Sequence, residues 1–546
     1  MASFPLSPRL LAAPLWGALV LRERLLERRR PVVELYVGGR HVLPDARALR
    51  SIADAPDVRG LHVQVDGLVE GWASLAAARE ALLAIRQAGK FVSFELERCT
   101  NAELYLASAA DRVWIRPMVQ VQLFGVGAAL RFAGDAFARF GLRFDMESAG
   151  AYKSFGETFT RSFPSAENRE AMADIVAGLE AELEDAIATG RKLTADAVRA
   201  AVLASPLDPE DAQRIGLIDG ALYPDAVNTE LESLFGREYA RVPFARWHRV
   251  HAARVRLERW MEVRRRVAIV HMLGAVVDGD GNPGAQVIAA RPAVRALDAL
   301  AEDDDVAAVV LDIRSPGGSA TASDVIWRAV ERLGRRKPVV AVLGDVAASG
   351  GYYIAVGAAE ILTGPNTLTG SIGVVGGKLV VGEAFGRLGV HTELILAAPG
   401  ASTFSAETPF DPEQRERFRA GLQRFYRAFV ERVAAGRRRP FDAVEPLARG
   451  RVWTGRRAVE LGLADRIGTV DDGITRAGQL AGVSVPASFD VRLGLPAPRW
   501  MRVARAVVGQ VAPELRLLPR LPEVAQLLAE HPGVPLVLWP WDAEIR

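Results

Sequence analysis

The chain is poor in cysteine, in lysine and in long apolar runs, and each shortage removes a class of function. A single cysteine, Cys99, excludes an internal disulfide and any multi-cysteine metal cluster. Seven histidines are scattered without an HExxH or other close ligand pair, so neither a metal nor another cofactor is expected. The net charge of +2, from 68 basic and 66 acidic residues, gives no global electrostatic case for nucleic-acid binding. Lysines are confined to Lys90, Lys153, Lys192, Lys337 and Lys378; arginine supplies the ordinary solvated positive charge. A lysine here therefore raises the question of whether an amine able to lose its proton was needed.

The longest apolar run near the start, Leu10 to Leu21, is interrupted by Pro14 and bounded by Arg9 and Arg22. A spanning helix needs about 20 apolar residues, so this run reads as interfacial or signal-like. The arginines after it favour keeping the following chain in the cytoplasm. Residues 1–31 are accordingly expected to be a membrane-proximal segment. No later stretch qualifies as a span.

At 546 residues, with half the chain apolar and a quarter charged, two or more globular domains are the starting expectation. An internal repeat sharpens it. VRGLHVQVDG (58–67), a helical stretch and GKFVSFELERCTNAELYLASAADRVW (89–114) answer to VAAVVLDIRS (306–315), a helical stretch and RKPVVAVLGDVAASGGYYIAVGAAEIL (336–362). Buried strands alternating with helices predict α/β units on a largely parallel sheet. Each half then carries a long helical region, near 165–200 and 411–436. The expected division is an N-terminal α/β repeat over 32–245, a connecting helix over 246–266, a C-terminal α/β repeat over 267–482 and a tail over 483–546. The connecting stretch is basic and aromatic; a solvated arginine face is its simplest reading, and contact with a membrane surface or partner is the alternative. The tail carries no functional reading.

Three segments of the second half carry chemistry. Ser315-Pro316-Gly317-Gly318 follows a strand, where glycines let backbone N–H groups approach a ligand, although a plain tight turn has the same signature. Asp345 to Tyr352 follows the next strand and sets Ser349 among small residues at a strand-to-helix junction. That position suits an exposed nucleophile, with the helix N-terminus offering partial positive charge to an oxyanion. Thr367 to Gly373 contains Ser371 between glycines and reads as a turn or a site wall.

A serine nucleophile needs a base, and no histidine lies near Ser349 in sequence. Aligning the repeats suggests one. Tyr353-Ile-Ala against Tyr105-Leu-Ala puts Asn101 opposite Ser349, and FGRLGV (385–390) against FARFGL (137–142) brings Lys153 opposite Ala401. Each half keeps what the other has lost, as two degenerate copies sharing one site would. Burial, for which a domain interface is a natural place, would lower the lysine pKa towards neutrality. The plainer readings are a surface lysine in a loop and a packed serine hydroxyl.

The SPGGS–TAS segment (315–323), DVAASGGYY (345–353), TLTGSIG (367–373) and GAYKS (150–154) together resemble the long, tandem-repeat form of the signal peptide peptidase A family, over about residues 32–480. The resemblance implies two tandem α/β domains of the Clp protease/crotonase-like superfamily. It puts the serine nucleophile on Ser349, the general base on Lys153 and a lysine-orienting hydroxyl on Ser371. Oxyanion donors fall on the backbone of Gly350 and of the Gly317/Gly318 turn. It further implies cleavage of remnant signal peptides and other apolar peptides at the periplasmic face of a bacterial inner membrane, by a homo-oligomer, a tetramer. The departure is the N-terminus, whose apolar run is shorter than the family's anchor. Two rival readings share the fold: a crotonase-like acyl-CoA enzyme, which leaves the Ser–Lys complementarity unexplained, and a catalytically silent scaffold.

Overall fold

The structure, a computed structural model, describes residues 30–39, 41–237, 239–262, 265–281, 286–483, 487–493, 536–538 and 544–545. The apolar run Leu10 to Leu21 and most of the tail lie outside the described residues. Among the described residues, no helix is long and apolar enough to cross a membrane. The chain forms two compact units, one of residues up to 126 with 179–264, the other of 127–178 with 265 onward.

The first unit is built on six parallel strands in the order Arg241–Pro243, Val32–Gly38, Gly60–Asp66, Phe91–Leu96, Arg112–Ile115 and Gly220–Ala221. Helix Trp72–Gln87 crosses between two of them, burying Leu75, Ala78, Leu82 and Ile85 at helical spacing. It stops before Gly89, whose φ of +76° suits glycine. The connecting helix runs Phe244–Glu262 and seats Phe244 and Trp247 in this core. It ends short of Arg266, because Arg266 already pairs with Val306 as the first residue of a strand in the second unit.

The second unit has a main sheet in the order Val452–Thr454, Leu368–Gly370, Val339–Ala348, Val306–Ser315, Arg266–Leu273 and Ala487–Arg492. Its central ladders are parallel. Strand Val306–Ser315 is buried along nearly its whole length because both faces are covered. Val309, Leu311 and Ile313 join one core, while Ala308 and Val310 join another with Ile474 and Ala477 of helix Val470–Leu480. The tail thus begins as a sheet strand: Ala487–Arg492 runs parallel to Arg266–Leu273.

A further sheet carries the site. Its order is Val287–Ala289, Ala275–Val277, Gly317–Ser319, Leu536–Leu538, Val374–Val380 and Arg143–Ala149. Strand Arg143–Ala149 comes from the first sequence repeat, yet it pairs antiparallel with Val374–Val380 over seven residues. Arg415 reinforces that ladder, reaching Asp145 at 2.5 Å and Glu147 at 2.6 Å. The expectation of a site made at a domain interface is corrected by this pairing. Seven ladder partners carry 127–178 into the same compact unit as the second repeat, so compact units and sequence repeats divide the chain differently.

Candidate active site

Ser349 sits where strand Val339–Ala348 turns into helix Gly350–Ala355. Its φ of 54° and ψ of −115° are costly for a residue with a side chain, and the surroundings hold it there. Ser349 N–H donates to Gly370 O at 2.8 Å, and Tyr353 N–H donates to Ser349 O at 2.8 Å. Small neighbours are required: a Cβ on Gly351 would lie 2.8 Å from Ser315 O. Ser315 stands opposite Ala347 across a register shift that ends the regular ladder. Gly318 packs against strand Ala275–Val277 so closely that a Cβ would fall 2.0 Å from Val276 O. Gly317 N–H donates to Ser315 Oγ at 3.2 Å.

Lys153 follows strand Arg143–Ala149 in a tight loop. Lys153 N–H donates to Gly150 O and Tyr152 N–H to Arg449 O, at 3.0 and 2.7 Å. The loop delivers Nζ to a point 2.7 Å from Ser349 Oγ, 2.9 Å from Ser371 Oγ and 3.1 Å from Ser371 O. Ser371, between strands Leu368–Gly370 and Val374–Val380, holds a φ of 51°. Ser349, Ser371 and Lys153 are 0%, 1% and 4% exposed. Burial pushes the Lys153 ammonium pKa well below its ordinary value of 10.5, and no neighbouring charge contributes.

Nζ lies within donor reach of Ser349 Oγ and of both Ser371 oxygens; in a neutral amine, with two N–H donors and one lone pair, the N–H groups can serve Ser371 and leave the lone pair to Ser349 Oγ. Such an arrangement can take a proton from a serine hydroxyl.

One participant carried no signal in the sequence. Loop Arg449–Arg451 ties the lysine and serine loops together: Arg449 O accepts from Tyr152 N–H, Gly450 N–H donates to Ile372 O, and Arg451 O accepts from Ser371 N–H, each at 2.7 Å. The Arg451 side chain ion-pairs with Glu170 and Asp174. Gly450 touches the lysine backbone, and only the tertiary packing brings the two together.

In the first unit, Asn101 opens helix Asn101–Ala107, and its amide donates to Gly125 O at 2.7 Å. Glu103 accepts there from Leu68 N–H and Thr100 N–H, at 2.8 and 2.9 Å, so a carboxylate closes that loop against itself.

Fold and site define an α/β scaffold with a serine at a strained strand-to-helix elbow and a buried lysine within hydrogen-bond reach of its hydroxyl. The chain belongs to peptidase family S49, whose model matches residues 84–237 and 331–484. It is 31% identical over 435 residues to a chloroplastic serine protease SPPA of Arabidopsis thaliana, covering 78% of this chain and 64% of that one. To Protease 4 of Salmonella typhi it is 28% identical over 441 residues, 80% of this chain and 71% of that one. Among solved structures, it overlaps a serine-to-alanine mutant of the 1510-N membrane-bound stomatin-specific protease at 16% identity and a TM-score of 0.25. That overlap covers 42% of this chain and 98% of that chain and is too slight to bear on the fold.

Proposed function

We propose that the chain is a Ser–Lys endopeptidase that cuts apolar peptides, remnant signal peptides among them, at a membrane. The 2.7 Å approach of a buried Lys153 Nζ to Ser349 Oγ carries this reading. Neutral Lys153 takes the Ser349 proton as Oγ attacks the scissile carbonyl. Ser371, through Oγ and its carbonyl, keeps the amine's lone pair on the nucleophile. The oxyanion is held by backbone N–H groups of Gly350 and the Gly317/Gly318 turn; Gly350 opens a helix, where N–H groups lack intrahelical acceptors. Lys153 then protonates the leaving amine, and water releases the acyl group through the same base. No cofactor or metal enters these steps. The apolar substrate class, a homo-oligomer of four and action on the periplasmic side of a bacterial inner membrane follow the family resemblance and belong to the same proposal.

The test is labelling by a serine-directed fluorophosphonate together with cleavage of an apolar peptide. Wild type and Lys192→Ala are expected to label and cut. Ser349→Ala and Lys153→Ala are expected to lose on the order of 10⁴-fold or more. Near-normal turnover by Ser349→Ala, or equal losses from both lysine variants, would refute the dyad. Acyl-CoA binding by a protein that does not label would favour the crotonase-like reading.

A further inference from the structure

The guanidinium of Arg451 lies between two aromatic rings, 4.8 Å from the centroid of Tyr152 and 4.6 Å from that of Trp453. Its two terminal nitrogens ion-pair with Glu170, at 2.6 Å, and with Asp174, both on helix Ala166–Arg191. The Tyr152 hydroxyl donates to the same Glu170 at 3.0 Å, so ring, cation and carboxylate close on one another. Such a set uses what arginine alone offers: flat faces for the rings and a rigid fork for the carboxylates. The Arg451 side chain is 15% exposed against 52% and 54% for its two partners, and its buried Nε has no acceptor among the described residues. A buried donor left unmet costs stability, so the surroundings impose this placement. Two of the attachments run on to the Ser–Lys pair. Tyr152 is the residue before Lys153, and its N–H is held by Arg449 O. The Arg451 carbonyl accepts from Ser371 N–H at 2.7 Å, and Ser371 Oγ stands 2.9 Å from Lys153 Nζ. One residue thus grips the lysine loop through a ring and, through its own backbone, the residue whose hydroxyl faces the amine.

We infer that Arg451 is a positioning residue: clamped by Glu170, Asp174 and two rings, it holds Tyr152–Lys153 and Ser371 together and so fixes how deeply Nζ is buried. This role rests on the Ser–Lys reading. Releasing the clamp lets the two loops part and water reach the amine, whose pKa then returns towards 10.5. A direct field effect would act otherwise. Removing the guanidinium would raise the amine's pKa, whereas removing the carboxylates would lower it. A clamp gives the same direction for both.

The test is the acid limb of kcat/KM for apolar peptide cleavage, beside fluorophosphonate labelling, in the full-length wild type, Arg451→Ala and the double variant Glu170→Gln/Asp174→Asn. Arg451→Ala is expected to lose at least about tenfold in kcat at neutral pH with KM within about threefold, and its limb to move up by about one pH unit. The double variant changes exposed carboxylates and is expected to keep the fold; its limb should move in the same direction by less. Limbs that move in opposite directions, or an unmoved limb in either folded variant, even with a lowered Tm, would overturn the inference. Should Arg451→Ala fail to fold, the double variant alone decides. A wild type that neither labels nor cuts overturns the Ser–Lys reading and this role with it; an active wild type confines the failure to Arg451.

Discussion

Replacing Gly450 by alanine perturbs the lysine without touching its side-chain amine. Gly450 has a φ of +80°, and a Cβ there would sit 2.5 Å from Lys153 N, 2.6 Å from Lys153 Cβ and 2.7 Å from Lys153 Cα. Comfortable carbon packing begins near ~3.5 Å, so the loop must retreat by about 1 Å. It cannot slide freely, because Gly450 N–H is bonded to Ile372 O and both neighbouring carbonyls are engaged. The methyl group also meets a left-handed backbone, at a cost of about 1–2 kcal/mol in stability. A base displaced by about 1 Å loses on the order of 10²-fold in rate. We therefore expect Gly450→Ala to lower kcat/KM about 100-fold, mainly through kcat, and to slow fluorophosphonate labelling in parallel. The retreat also moves Nζ away from Ser371 and towards water, which weakens the burial that depresses its pKa, so the acid limb of the pH–rate profile should shift to higher pH. Activity within threefold of wild type, with an unmoved acid limb, would refute the claim that this loop sets the lysine.

In the proposed dyad Lys153 acts only when neutral, so wild-type kcat/KM should rise with pH along a limb whose midpoint lies well below 10.5; a limb centred near that ordinary value would remove burial as the cause. The same burial sets a stability effect. The folded chain binds fewer protons than the unfolded one between the lowered pKa and the ordinary value, so stability rises with pH across that window. Lys153→Met should remove this cost and raise Tm by about 1 °C near pH 6, about 1 kcal/mol, with the gain shrinking towards pH 10; differential scanning calorimetry at both pH values checks it. Arg415→Ala strips the guanidinium from Asp145, which is 3% exposed, and should destabilise by about 2–3 kcal/mol in denaturant unfolding; a change under 0.5 kcal/mol would show that the ion pair contributes little to the ladder.

Local pattern was enough to read the α/β alternation, because strands such as Val306–Ser315 announce themselves as unbroken apolar runs and helices such as Trp72–Gln87 by their spacing. Ser349 stood out through the small residues that an elbow requires, and Lys153 through the scarcity of lysine and its loss from the second repeat. These are properties of residue type and chain order, which a sequence carries by itself. Which segments meet across the fold is another kind of information. Strand Arg143–Ala149 joins the second unit because its backbone finds Val374–Val380, and hydrogen-bond pairing between distant strands leaves little trace in composition. For the same reason Gly450 gave no sign of the lysine it touches. Residues 536–538 likewise read as tail until the two edges that they join were in place. Sequence decided what each segment could form and which side chains could do chemistry; tertiary pairing alone decided the 2.7 Å contact, the buried environment that lowers the lysine pKa, and which strand pairs between Gly317–Ser319 and Val374–Val380.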